Sequence, residues 1–161
     1  METQTQPQLL TPEHLLQHWL GHRELTRRVI AAFPEKEFFE FSIGGMRTCS
    51  QLISELIAIA GPGIKAIAEK SQNGYDESDA LTTKEQYLQK WDEGTEIINK
   101  YWHQLEVPDF GETFNLFGEY EFPVIDNIFY FIDNEIHHRG QAYVYLRALG
   151  VEPPAFWDRA R

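Results

Sequence analysis

The chain reads as an all-α four-helix bundle, and three observations carry that reading. Apolar residues recur with a period near 3.6 in four long segments. Proline, glycine and polar clusters punctuate the chain between those segments. The period-two alternation of a half-buried strand is missing, apart from a weak pattern around Phe110 to Phe122. At 161 residues the chain fits one domain over 1–161, large enough to bury a core without a disulfide or a zinc staple. Residues 1–10 are expected to be flexible, and 151–161 to form a tail packing across an end of the bundle.

The first helix starts at Thr11, a suitable N-cap, with Pro12 in the first turn. Leu15, Trp19, Thr26, Val29, Ile30 and Phe33 form its apolar stripe, and Pro34 ends it. His14, His18 and His22 lie four apart along one side. His22 falls inside the stripe, His18 on its edge and His14 outside. The segment from Phe33 to Met46 is aromatic and reads as irregular. A second helix follows from Thr48 to Ala60, with Cys49, Leu52, Leu56 and Ile59 inward. Gly61-Pro62-Gly63 is expected to break or kink it before Ile64 to Lys70.

Ser71 to Leu81 is polar and reads as a loop. Thr82-Thr83-Lys84-Glu85 is a capping-box pattern opening a third helix. That helix carries Tyr87, Leu88, Trp91, Ile98, Tyr101, Trp102 and Leu105 inward and stops before Pro108. After a connector over Asp109 to Phe122, Pro123 suits the first turn of the fourth helix and Gly150 its left-handed stop. Val124, Ile128, Phe131, Ile132, Ala142, Leu146 and Leu149 form its stripe.

Charge narrows the partners. Fourteen Lys and Arg against 25 Asp and Glu leave a net charge of −11. A body this acidic repels a phosphate backbone and an anionic membrane surface, and no basic face compensates, so no nucleic-acid or membrane partner is expected. No apolar run approaches the roughly 18 residues of a bilayer span. Met1 to Leu10 has neither a basic flank nor an apolar core, so no secretion signal is expected. A single cysteine, Cys49, excludes an internal disulfide framework and fits a reducing cytoplasm. What remains is a small molecule, a metal ion or a protein partner.

The chemistry concentrates in the middle of the fourth helix, Asp133-Asn134-Glu135-Ile136-His137-His138-Arg139-Gly140-Gln141. His138 projects about 60° from the centre of the apolar stripe, whereas His137 points nearly opposite it. Asn134 lies one turn before His138 on the same side. Glu135 and Arg139 sit close to the stripe centre, where an i,i+4 ion pair suits them. On the second helix Glu55 falls inside the buried stripe and needs a partner. A satisfied core histidine paired with Glu55 is one reading of His138, and a ligating histidine is the other. Cys49 reads as a packed small residue, since nothing near it in sequence lowers its pKa.

His137-His138-Arg139-Gly140-Gln141, with Ala142 to Val151 after it, resembles the last helix of the DinB/YfiT-like family. Gly45-Met46-Arg47-Thr48-Cys49-Ser50-Gln51-Leu52-Ile53-Ser54-Glu55 is similar to that family's entry into the second helix. The resemblance implies a four-helix bundle, a homodimer and a divalent metal held by three histidines. Of those ligand positions, one is matched by His138, while the other two fall on Asn134 and Glu55. Zinc, iron, manganese or nickel would then sit on Glu55, Asn134 and His138, with His22, Glu135 and Arg139 as supporting residues. Glutamate is a sound ligand for these ions, but a neutral amide oxygen is a poor one, which makes a harder, weakened site.

Two functions follow from the resemblance. One is a metal-dependent hydrolase or thiol-dependent S-transferase, in which a metal with an open position binds a low-molecular-weight thiol and presents its thiolate to an electrophile. The other is a metal-free bundle that binds a small molecule or another protein, or serves as a dimerisation module. Substrate and catalytic residues are not readable from the residues.

Overall fold

The computed structural model describes residues 9–72, 74–77 and 81–159. Four long helices form the bundle: α1 (Pro12–Ala32), α3 (Cys49–Glu69), α4 (Lys84–Trp102) and α5 (Val124–Ala148). Each packs on two neighbours, α3 on α4, α4 on α1, α1 on α5 and α5 on α3. Helices α1 and α3 therefore face each other across the bundle, as do α4 and α5. Crossing those diagonals takes long connections, which is why the chain has two elaborate connectors and only one that joins neighbours.

Both crossing connectors carry structure of their own. The first contains a short helix, α2 (Glu35–Glu40), where an irregular segment was expected. Phe38 is buried in it and packs edge-on against Phe33, Phe39 and Tyr87, so ring packing rather than helical period sets this turn. The second contains a 3₁₀ turn (Val107–Gly111) and an antiparallel hairpin, β1 (Thr113–Leu116) with β2 (Tyr120–Pro123), at the place of the weak strand pattern. The loop expected over Ser71 to Leu81 is neither helix nor strand where it is described; residues 73 and 78–80 lie outside the described residues.

Helix ends follow their caps. Thr11 accepts from the His14 N–H, and Thr48 forms a capping box with Gln51. The third cap is shifted by one residue from the expected one: Thr83 is the N-cap and Gln86 its box partner, because Gln86, not Glu85, sits at the third helical position. That helix also ends sooner than expected, at Trp102. Gly150 is left-handed at φ 74°, and the Val151 N–H closes back on the Leu146 carbonyl at 2.9 Å.

Gly61-Pro62-Gly63 does not break the second long helix; α3 runs through it. A Cβ on Gly63 would stand 2.6 Å from the ring of Phe131, so α5 presses directly on the α3 backbone there. The packed neighbours hold the turn that proline weakens. Read as one rod, α3 is long and apolar enough to cross a membrane, contrary to the expectation from two short runs, but most of it is buried against the other helices.

The core lies in two halves. One surrounds Trp19, Ile64, Ile98, Trp102 and Phe131; the other surrounds Ile30, Phe33, Leu52, Trp91 and Tyr145. Between them α1, α4 and α5 contribute Arg23, Thr26, Thr95, Glu135 and Arg139. The expected stripes are otherwise inward as read, with Leu88, Leu105 and Leu149 only partly buried. The tail closes one end in part. Val151 packs on the core and Asp158 takes hydrogen bonds from Arg28, but Phe156 and Trp157 stay 64% and 72% exposed. Residues 1–8 and 160–161 lie outside the described residues.

Candidate functional site

Helices α3 and α5 bring Glu55, Asn134 and His138 together. The four-residue spacing of Asn134 and His138 puts both on the α5 face that meets α3. The Asn134 amide Nδ2 donates to Oε1 of Glu55 at 3.2 Å, and Nε2 of His138 meets the same oxygen at 3.1 Å. Nδ1 of His138 meets the side-chain amide of Gln141 at 2.9 Å, one turn further on. The Glu55 side chain is 17% exposed. Its burial pushes the carboxyl pKa up, but the hydrogen bonds from Arg47, His138 and Asn134 outweigh that and hold it below the usual range. The carboxylate is thus charged, and His138 Nε2 lies within hydrogen-bond reach of it.

A fourth residue, Arg47, completes the cluster. Its Nη2 stands 2.5 Å from Oε2 of Glu55 and 3.4 Å from Nε2 of His138. The guanidinium lies across the two groups that a metal would bridge, and the side chain remains 43% exposed. Tyr145 anchors its backbone, donating to the Arg47 carbonyl at 2.8 Å. Arg47 stands just before the N-cap of α3, outside any helical period, so spacing does not reveal its partnership with Glu55. Gln141 lies one turn after His138 on the same helix, where i,i+3 spacing makes them neighbours. Glu77 and Tyr130 also belong to the surroundings, since the Glu55 charge adds to burial in raising both their pKa values.

The supporting residues form a second polar group between α1 and α5, with a branch into α4. Thr26 donates to Oε1 of Glu135 at 2.6 Å and accepts from Arg139 at 2.9 Å. Arg139 also pairs with Glu135 within the helix at 3.6 Å, as expected, and donates to Nδ1 of His22 at 2.8 Å. Arg23 stacks on Trp91 at 3.6 Å, donates to Thr95 and to the Trp91 carbonyl, and stands 4.0 Å from Oε2 of Glu135. Gly94 makes room for it: a Cβ there would lie 3.2 Å from the guanidinium. That Oε2 has no hydrogen bond, and neither has the indole N–H of Trp19, although Trp19 lies close enough to favour the Glu135 charge. Burial still pushes the Glu135 carboxyl up and the Arg139 guanidinium down, and takes Arg23 to about 10.

His22 is buried, His18 and His14 exposed, as their projection implied. His22 bonds Arg139, His18 and Arg159, and none of those bonds goes to Glu55, Asn134 or His138. Burial first, then Arg139, His18 and Arg159, hold its pKa down to about 3, so it is neutral. Cys49 is buried, which pushes its thiol up, away from reactivity.

The bundle architecture and this last-helix cluster define a known class. The DinB family matches over residues 1–160, and the chain belongs to that family. It is similar in fold to a DinB-like protein from Bacillus cereus ATCC 10987, with a TM-score of 0.74 and 18% identity, covering 89% of this chain and 95% of that one. A second similar structure is the DinB-like protein YjoA from Bacillus subtilis, with a TM-score of 0.71 and 17% identity over 91% and 99% of the two chains. No curated protein matches this sequence.

The family resemblance implies a metal, and the donor set argues against one here. A divalent ion needs lone pairs from its ligands. Asn134 turns its NH₂ toward Glu55, His138 Nε2 is paired with Oε1, and Arg47 covers Oε2 with a fixed positive charge. Both carboxylate oxygens are engaged. As arranged, these residues do not fit a divalent metal.

Proposed function

We propose that this DinB-family chain is a metal-independent member that binds a small molecule at the Glu55 centre, with the Arg47 guanidinium as its resident cation. The observation that supports this is the set of partners around one carboxylate: Arg47 and Asn134 donate to Glu55, and His138 Nε2 lies 3.1 Å from it. Together they compensate the buried charge that a metal would otherwise neutralise. The half-exposed edge of Arg47 then faces the ligand, and a guanidinium edge suits a carboxylate or phosphate group.

Elemental analysis after incubation with zinc, nickel, iron and manganese salts tests this reading. The expected result is metal well below one ion per chain, unchanged by Glu55→Gln. Arg47→Ala combined with Asn134→His should then create zinc binding, because it removes the cation and sets two imidazoles one turn apart beside Glu55. One ion per chain in the unaltered protein, lost in Glu55→Gln, would overturn the metal-independent reading and restore the metal-dependent one.

A further inference from the structure

A cavity of about 470 Å³ lies between the hairpin and the start of α5, and one of its lining residues, Tyr130, also feels the Glu55 charge. Leu116 forms its buried floor. Tyr120 and Phe122, two apart on β2 and so on one face of the strand, make one wall. Tyr130 makes the opposite wall from α5, and Asp126, one turn earlier on that helix, supplies a carboxylate at the rim. Asn127 fixes the two walls, donating to the Phe114 and Phe122 carbonyls at 3.3 Å each. All three rings are about half exposed, though large aromatic side chains favour burial.

We propose that Tyr120, Phe122 and Tyr130, with Asp126, bind the alkylated ammonium group of a small organic cation. Aromatic faces attract a cation through the ring quadrupole, and methylated ammonium ions lose little hydration on entering such a cage. The Asp126 carboxylate complements the charge, and the net charge of −11 raises cation concentration near the surface. An apolar or neutral aromatic ligand would gain nothing from Asp126. The proposal is independent of whether the Glu55 centre holds a metal.

Choline and its uncharged carbon isostere, dimethylbutanol, test the charge requirement, with aromatic side-chain NMR as the readout. Choline should shift the Tyr120, Phe122 and Tyr130 signals saturably, and the isostere should bind roughly tenfold more weakly. Asp126→Asn, which preserves volume at an exposed position, should weaken choline by a similar factor. Phe122→Leu should weaken it too, by removing one ring. Equal binding of the isostere, or indifference to both groove substitutions, would overturn the proposal. So would signal shifts that follow protein concentration rather than choline, since a second copy of the chain would then be the occupant.

Discussion

Glu135 shows how much a single buried charge can hold together. Its carboxylate sits within reach of two guanidiniums and one hydroxyl, almost wholly out of water. Removing it leaves Arg139 buried without a carboxylate partner and Arg23 with only the charge of Asp92. Glu135→Leu is therefore expected to cost about 3–5 kcal/mol in urea unfolding, far more than lost packing would explain. Thr26→Val, which removes only the hydroxyl between Glu135 and Arg139, should cost about 1–3 kcal/mol. The ion pair of Glu135 with Arg139 was legible, because i,i+4 spacing is a local property. Its extension to Arg23 and Thr26 was not, because the helices that carry them meet only after folding. The same holds at the candidate site: Glu55 could be picked out by its place in an apolar stripe, and Asn134 and His138 by their shared side of the last helix and the family resemblance, whereas Arg47 could not.

Helix α3 illustrates how an element is decided by its neighbours. Pro62 lacks an N–H and ought to weaken the rod at mid-length. Burial on α4 and α5 keeps the helix unbroken, and Gly63 is what lets Phe131 approach. Phe131 is itself fixed against Trp19, at 5.9 Å between ring centroids, so it has no room to retreat. Gly63→Ala is thus expected to destabilise by about 1–3 kcal/mol through overpacking. Its gain in helix propensity, at most about 1 kcal/mol, opposes this and does not offset it. A thermal melt with a higher midpoint in Gly63→Ala would show that α5 yields at this contact.

Across the bundle, the polar belt divides the core and ties its stability to pH. His22 is neutral in the fold, its pKa depressed from 6.5 to about 3. An unfolded chain takes up a proton there below about pH 6.5, and the folded one does not. Stability is therefore fully present above that pH and declines as pH falls toward 3. Urea unfolding at pH 7 and pH 5 should differ by on the order of 1–2 kcal/mol from this residue. His22→Gln should flatten that window. Glu55, also depressed, acts in a lower one: its contribution is complete above the ordinary carboxylate pKa and is lost only on further acidification. A His22→Gln profile identical to the parent would assign the acid sensitivity to other groups.

The helices, most of their caps and the inward stripes were legible along the chain, because hydrogen bonds and side-chain periods act within a few residues. The family motif on the last helix was legible for the same reason. Folding in three dimensions settled the rest: which diagonals the connectors cross, that α3 passes through Pro62 intact, and that a guanidinium lies across Glu55 and His138. Those depend on groups far apart in sequence competing for the same buried space, and no local period records that competition.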